Sequence, residues 1–338
     1  MILVHFFMLN ANTVSGIKKV LEEEADNFMI ISHRAPDADA IGANLALRRA
    51  LKKMGKTVVS ACVDPIPDSS GFLEDANTYV EDITPYMNTT DCVISVDCGA
   101  PGLVAYIEKY PEFFSGKIPY INIDHHASND GFGTINLVHS EACSTTFIIY
   151  KLFIELGIEL DPKIATALMH GLYFDTGSFM HPNTSAEVYE MAADLARKGA
   201  DHRRSAKELF HNTPVNSLKL WGRAMERLKL NREHVAVSNL RAQDFDELGA
   251  DKEALSGIMN YINSIPDVKF SMLLTEDGKG NVKGSTRTQR SDVDLSEYCG
   301  QFGGGGHKMA AGFTIKGDLQ EESVYTLYPE GSDKPFTF

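Results

Sequence analysis

The first half of the chain alternates short apolar runs with stretches of helical periodicity. Residues 28–32 are typical of a buried strand, and residues 40–53 carry apolar side chains at helical spacing. Further strand-like runs occupy residues 57–63, 92–96 and 119–123. This alternation predicts an α/β fold in which helices cover an N-terminal parallel sheet.

The second half predicts a smaller α/β domain. Helical patterns occupy 143–157, 162–174, 185–198 and 215–230. Strand-like runs follow at 235–240, 268–275 and 282–288. A length of 338 residues favours two domains with a cleft between them. We predict a first domain over 1–195, a helical linker over 196–230 and a second domain over 231–338.

Composition narrows the classes of partner. The formal net charge of −14 opposes the binding of long nucleic acid, which needs a broad basic surface, but it leaves room for a short anionic substrate. Five cysteines without a CxxC pair indicate free thiols in a reducing compartment, and we expect the cytoplasm. Residues 1–9 are apolar but lack a basic leader and are too short to cross a bilayer, so we predict a packed or frayed extension and no membrane association.

Side chains that can bind metal ions follow the first predicted strand. The segment HRAPDADAIG places His33, Asp37 and Asp39 at a strand-to-helix turn, where Pro36 restrains the loop. Asp39 is also placed to cap the following helix. The alternative is that both aspartates only cap the helix and that His33 is an ordinary loop residue.

Acidic and imidazole side chains also end three later segments. Asp97 follows one strand-like run, and Asp124, His125 and His126 follow the next. Asp175 ends a helical pattern, where the helix dipole disfavours an anion and a bound cation would remove the conflict. Taken alone, Asp97 is better explained as a turn or cap residue, and its interpretation as a ligand depends on the other segments.

Convergence of these four segments would create a strongly acidic pocket. Carboxylates that share a partly desolvated site repel one another, and cations or large pKa shifts must relieve the repulsion. Oxygen and imidazole ligands without thiolates suit manganese, magnesium or iron better than structural zinc. The sequence therefore predicts a centre for divalent metal ions.

These motifs resemble those of a known family. HRAPDADAIG, VDCGA, DHH and YFDTG, in this order, are similar to the four motifs of the DHH phosphoesterases, and GGGGH at 303–307 resembles the glycine-rich motif of the companion DHHA1 domain. The resemblance implies two divalent cations, most often Mn²⁺ with Mg²⁺ as the alternative, that activate a water molecule to attack a phosphate ester. It also suggests a homodimer. The resemblance further implies a metal-binding catalytic domain over 1–195, a substrate-binding domain over 231–338 and an active site in the cleft between them.

The resemblance assigns roles residue by residue. One cation would be bound by His33, Asp37 and Asp97, and the other by Asp39, Asp97, His125 and Asp175. Asp97 would then bridge the two ions. His126 would lie beside the scissile phosphate, and Asp124 would orient a histidine.

The glycine run of the second domain is interpreted as a phosphate-binding segment. Glycines let backbone N–H groups approach an anion closely, and His307 and Arg287 add charge-assisted contacts to a terminal phosphate. The substrate-binding residues would be Arg287, Gly303, Gly304, Gly305, Gly306 and His307. A flexible turn is the alternative interpretation of a glycine run considered alone.

The pair of domains is similar to the nanoRNase type of this family. That type degrades very short oligoribonucleotides and removes the 3′-phosphate from 3′-phosphoadenosine 5′-phosphate (pAp), and the linear dinucleotides pApA and pGpG are further candidate substrates. A RecJ-like single-strand DNA exonuclease would be expected to carry more domains and a basic channel. A family II inorganic pyrophosphatase and a catalytically silent nucleotide-binding regulator are two further candidates.

Overall fold

The computed structural model describes residues 8–320, 326–327 and 336–337. The chain divides into two compact units, Met1–Asn212 and Thr213–Phe338. Most of the predicted N-terminal extension lies outside the described residues; of its last two residues, Met8 is exposed and Leu9 is buried. Among the described helices, none is long and apolar enough to cross a membrane.

The first unit is built on a five-stranded sheet with the order β2-β1-β3-β4-β5. Strands β1 to β5 are Asn27–Ser32, Thr57–Ala61, Cys92–Val96, Tyr120–Asp124 and Ile135–Val138. All neighbouring strands run parallel, so the carboxyl ends of all five strands lie at one edge. The predicted α/β fold with an N-terminal parallel sheet is confirmed.

Helices cover this sheet on both faces. Helices α1 to α8 span Ala11–Lys19, Ala38–Lys53, Pro101–Val104, Tyr106–Lys109, Thr145–Leu156, Pro162–Asp175, Ala186–Arg197 and His202–Phe210. Ile30 and Ile94 belong to the apolar cluster that contains the buried side chains of α2, α5 and α6, whereas Met29 and Ile31 belong to the cluster on the opposite face. Alternation of buried side chains between two covered faces explains why β1 is apolar throughout.

The second unit contains a mixed six-stranded sheet with the order β10-β11-β9-β8-β7-β6. Strands β6 to β11 are Lys229–Leu230, Val235–Leu240, Phe270–Glu276, Asn281–Arg287, Gly305–His307 and Ala310–Lys316. Helices α9 to α12 are Val215–Glu226, Ala242–Leu248, Ile258–Ile262 and Leu295–Gly300. Strands β12 (Thr326–Leu327) and β13 (Phe336–Thr337) form a separate antiparallel pair. The predicted α/β architecture of the second, smaller domain is confirmed.

The structure corrects several element boundaries. The helical pattern predicted over 215–230 ends at Glu226, because the next residues pair with β7 as the edge strand β6. The strand predicted over 57–63 ends at Ala61. Helices α1, α3, α4 and α12 and strands β5, β6 and β10 to β13 were not predicted, whereas α8 lies in the range predicted as a helical linker. The range predicted as a linker, 196–230, contains the end of α7, α8, α9 and β6 and includes the boundary between the two units.

Candidate active site

The carboxyl edge of the parallel sheet brings the predicted ligand segments together. His33 follows β1, Asp97 follows β3 and Asp124 ends β4, and these three strands are adjacent in the sheet. Helix α6 delivers Asp175, its last residue, to the same place. The residues form groups whose candidate ligand atoms lie within 4.8 Å of one another, although the segments are far apart in sequence.

The first group consists of His33, Asp37 and Asp97. The Nε2 atom of His33 lies 3.6 Å from Asp97 Oδ2 and 4.0 Å from Asp37 Oδ2. Asp37 caps α2 through its other oxygen, since Oδ1 accepts hydrogen bonds from the backbone N–H groups of Asp39 and Ala40. Capping and metal binding are therefore compatible in Asp37, and the expectation that Asp39 caps α2 is wrong.

The second group consists of Asp39, His125 and Asp175. His125 Nε2 lies 3.3 Å from Asp175 Oδ2 and 3.5 Å from Asp97 Oδ1. Its Nδ1 atom lies 3.3 Å from the carbonyl oxygen of Ala142, which orients the ring. Asp97 therefore lies between the two groups, with one oxygen towards each.

Asp97 is held in an unusual backbone conformation. Its φ angle is +60°, in the left-handed region that few residues other than glycine, asparagine and aspartate adopt. Its side chain is 2% exposed. Strained backbone of this kind persists where the surrounding structure fixes it, and such residues cluster at functional sites.

Electrostatics favour a cation at this place. Burial raises the pKa of Asp39 well above its ordinary value, and the charges of Asp97 and Asp37 raise it further. Asp175 behaves in the same way, with burial as the first cause and the charge of Asp39 as the second. The Oδ2 atom of Asp175 is buried and forms no hydrogen bond with the described residues, because His125 Nε2, 3.3 Å away, does not meet hydrogen-bonding geometry. A carboxylate oxygen without a donor, among other carboxylates and imidazoles, fits divalent metal ions.

The carboxylates of this cluster also act on His33. Burial would lower the pKa of His33, but the hydrogen bond with Asp97 and the charge of Asp37 outweigh it and raise the pKa to about 9. Burial alone would raise the pKa of Asp97, but the hydrogen bond with His33 and the charges of His125 and His33 hold it below its ordinary value. Asp97 thus stays ionised while its neighbours Asp39 and Asp175 are pushed towards the neutral form.

His126 is oriented by a buried carboxylate. Asp124 is 0% exposed, and its Oδ1 atom lies 2.8 Å from His126 Nδ1. His126 Nδ1 also lies 3.6 Å from Asp97 Oδ1, and His126 forms a third group with Asp97 and His125. The resemblance implies that Asp124 orients a histidine, and in the structure that histidine is His126.

The N-terminus of α5 is a part of the site that sequence reasoning missed. The backbone N–H groups of Thr145 and Thr146 donate to Asp39 at 2.6 and 3.0 Å, and the Thr146 hydroxyl donates to it at 2.6 Å. The Thr145 hydroxyl donates to Asp97 Oδ1 at 2.9 Å. The start of α5, where N–H groups are unpaired and the dipole is positive, therefore holds two of the predicted ligands.

Helices α2 and α6 need a glycine where they approach each other near Asp39. A Cβ atom on Gly171 would lie 2.5 Å from Asp39 Oδ1 and 2.6 Å from Thr146 Cγ2. Any larger residue would displace the Asp39 carboxylate or α5. Gly171 lies one helical turn before Asp175, so the same approach also places that carboxylate.

Replacing Thr145 with valine is expected to lower kcat/KM about tenfold, because valine keeps the shape but removes the hydroxyl that fixes Asp97. Hydrolysis of pAp in the presence of Mn²⁺ is the measurement. Thr145→Ser keeps the donor and is expected to remain within about twofold of wild type. Equal rates in both variants and wild type would show that this hydrogen bond does not position Asp97.

In the second unit, Arg287 and His307 share one row of the sheet. Arg287 pairs with Ala310, and Ala310 pairs with His307, so the three side chains lie on the same face, with Arg287 and His307 about 10 Å apart across the strands. Burial lowers the pKa of the half-buried Arg287 guanidinium, and in the described part of the chain no carboxylate forms an ion pair with it. Its Nη1 donates to the Thr286 carbonyl oxygen at 3.2 Å.

The glycine run is partly a strand. Gly305–His307 pair with β11, and Gly303 and Gly304 lie in the turn before them. Gly306 has a φ angle of +141°, and a Cβ there would lie 2.6 Å from the Ala310 carbonyl oxygen, so only glycine fits this pairing. The run therefore places His307 in a defined position and is not merely a flexible turn.

Comparison with known families agrees with this architecture. The family model of the DHH family, N-terminal domain, matches residues 27–172, and that of the DHHA1 domain matches residues 233–327. The chain belongs to the DHH family and is a metal-dependent phosphoesterase with a DHHA1 domain.

Within the family, the chain is similar to a protein from Thermus thermophilus named bifunctional oligoribonuclease and PAP phosphatase NrnA. The two are 30% identical over 311 residues, which is 90% of this chain and 89% of the relative. The fold is similar to that of an exopolyphosphatase-related protein from Bacteroides fragilis, with a TM-score of 0.86, 24% identity and coverage of 93% of this chain and 94% of that chain. RecJ from Thermus thermophilus, in complex with Mn²⁺, has a TM-score of 0.53 and 16% identity, and the match covers 92% of this chain but 53% of RecJ.

Proposed function

We propose that the chain is a two-metal phosphoesterase that hydrolyses short oligoribonucleotides and pAp, with pApA and pGpG as further substrates. The observation that carries this proposal is the position of Asp97 between two ligand groups, His33 with Asp37 and Asp39 with His125 and Asp175. The name of the Thermus thermophilus relative, which aligns along nearly its whole length, supports the choice of substrates.

Each ligand group would bind one divalent cation. His33, Asp37 and Asp97 would hold one ion, and Asp39, Asp97, His125 and Asp175 the other, with Asp97 shared. Bound in this way, a pair of cations activates water and neutralises charge on the phosphoryl oxygens. Manganese is our choice of metal, because a donor set of carboxylates and imidazoles suits it. Magnesium is the alternative, since the same donor set also accepts it.

The chain's own side chains orient the substrate. His126, fixed by Asp124 through its Nδ1 atom, would present its other nitrogen to the scissile phosphate. In the second unit, Arg287, His307 and the backbone of Gly303–Gly306 would bind a terminal phosphate. A half-buried guanidinium with no carboxylate partner in the described chain is the kind of group that an anionic ligand satisfies.

The proposal extends to partners and location. Recognition of one terminal phosphate by a few local donors suits short RNA and small nucleotides on an acidic protein, and does not require a surface for long duplexes or membranes. All five cysteines are free and buried, which accords with a cytoplasmic location. We also propose a homodimer, and sedimentation velocity is its test.

A side-by-side assay tests the function. Hydrolysis of pAp, an RNA ladder of very short lengths, pApA, a long single-stranded DNA and pyrophosphate is measured with Mn²⁺ and again with a chelator. We expect turnover of pAp and the shortest RNAs that chelator abolishes and Mn²⁺ restores. Preference for long DNA would favour the RecJ-like alternative, preference for pyrophosphate the pyrophosphatase, and binding of pAp without turnover the silent regulator.

A further inference from the structure

Asp124 has a second partner besides His126. Its Oδ1 atom is engaged by His126 Nδ1 at 2.8 Å, and its Oδ2 atom accepts a hydrogen bond from Asn129 Nδ2 at 2.7 Å. Because Asp124 is fully buried, these two donors replace water around the carboxylate. A partial rotation of the carboxylate about its Cβ–Cγ bond would therefore weaken both hydrogen bonds at once.

The amide of Asn129 is itself fixed at both ends. Its Nδ2 atom also donates to the Cys98 carbonyl oxygen at 2.9 Å. Its Oδ1 atom accepts hydrogen bonds from the Gly131 N–H at 2.8 Å and from Asn122 Nδ2 at 3.0 Å. Donors and acceptors around the amide thus leave one orientation, with the nitrogen towards Asp124.

Asn129 connects the loops that carry the site. Cys98 directly follows Asp97 at the end of β3, whereas Asp124 ends β4. Behind Asn129, the buried side chain of Asn122 accepts from Ser95 Oγ at 3.2 Å and donates to Asn136 Oδ1 at 3.2 Å. A chain of polar groups therefore runs from the interior of the sheet through Asn129 and Asp124 to the imidazole of His126.

We propose that Asn129 is a positioning residue for the phosphoesterase reaction, which acts by locking the Asp124 carboxylate and, through it, the ring of His126. The proposal rests on the proposed function, because it takes His126 as the group beside the scissile phosphate. Asn129 lies four residues beyond His125, and its side chain forms hydrogen bonds with none of the predicted metal ligands, all of which lie in the described part of the chain. Its loss should therefore lower kcat and leave substrate affinity and metal affinity unchanged.

Two substitutions separate hydrogen bonding from packing. Asn129→Asp keeps the shape but places an acceptor against Asp124, and Asn129→Ala removes the side chain. We expect kcat for pAp to fall about tenfold in the alanine variant and further in the aspartate variant, since the loss of an outer partner of a catalytic group costs about 10- to 100-fold. A packing role predicts the opposite order, with the isosteric aspartate variant close to wild type.

Asn27→Asp is the matched control. Asn27 Nδ2 donates to Asp91 Oδ2 at 2.8 Å, so the same change is made beside a carboxylate at the amino end of β1, the opposite edge of the sheet from the site. This variant is expected to lose thermal stability and to keep kcat within about twofold of wild type. All variants are assayed below the lowest unfolding midpoint, with KM and calorimetric Mn²⁺ affinity measured in parallel.

The outcomes distinguish failure of this inference from failure of the proposed function on which it rests. The positioning role is supported if kcat falls in both variants and is lower in Asn129→Asp than in Asn129→Ala, while KM and Mn²⁺ affinity stay unchanged. Wild-type kcat in Asn129→Asp, or a parallel loss of Mn²⁺ binding, overturns it while wild type still hydrolyses pAp. An inactive wild type would instead refute the proposed function.

Discussion

Asp97→Asn is expected to lower kcat/KM for every substrate by at least about 1000-fold, because Asp97 is the carboxylate shared by both ligand groups. A neutral amide offers a weaker ligand to each cation and cannot bridge them through two anionic oxygens. Asparagine adopts the left-handed conformation of residue 97 as readily as aspartate does, so the backbone should not change. Hydrolysis of pAp and calorimetric titration with Mn²⁺ are the measurements.

Asp75→Asn is the matched control for this substitution. Asp75 also has a left-handed backbone, with a φ angle of +65°, but its carboxylate pairs with Arg48 and Lys52. Because Arg48 is buried, the substitution is expected to lower stability, and activity below the unfolding midpoint is expected to stay unchanged. If Asp97→Asn keeps activity within about tenfold of wild type, Asp97 does not bridge two metal ions.

The ligand segments were predictable because their signal is local. A buried parallel strand is a short apolar run, and the residue after it lies at the sheet edge where sites form, so Asp97 and Asp124 could be placed from sequence alone. The apolar run at 92–96 likewise predicted the bounds of β3, which the structure gives as Cys92–Val96. What sequence could not give is that Asp37, rather than Asp39, caps α2, since both spacings suit a cap.

The missed features depend on tertiary contacts. Thr145 and Thr146 bind the ligand carboxylates partly through backbone N–H groups, which any residue except proline possesses, so no side-chain pattern marks them. Asn129 sits in a loop where asparagine is ordinary. The end of α9 at Glu226 is set by strand pairing with β7, a non-local interaction that helical periodicity does not contain.

Arg287→Ala is expected to raise KM for pAp about 100-fold with a smaller change in kcat, since charge-assisted hydrogen bonds to a phosphate contribute about 1.5–3 kcal/mol. None of the predicted metal ligands is altered by this change. Bis(p-nitrophenyl) phosphate, a diester without a terminal phosphate, should therefore be hydrolysed by the variant with a KM close to that of wild type. Steady-state kinetics on the two substrates measures the contrast.

Arg290→Ala is the control from the same unit. Its guanidinium is exposed and bonded to Asp292 at 2.9 and 2.6 Å, so its removal should change neither KM. An equal rise of KM for both substrates in Arg287→Ala would indicate a general distortion of the protein rather than a lost phosphate contact.

Inorganic phosphate gives a test of Arg287 that does not depend on turnover. The half-buried guanidinium has no carboxylate partner in the described chain, so its charge is poorly compensated until an anion binds. A ligand that binds only the folded state stabilises it by RT ln(1 + L/Kd), where L is the free ligand concentration, and therefore raises its unfolding temperature. Phosphate should therefore raise the unfolding temperature of wild type and of Arg290→Ala but not that of Arg287→Ala, and an equal rise in all three would remove Arg287 from the recognition site.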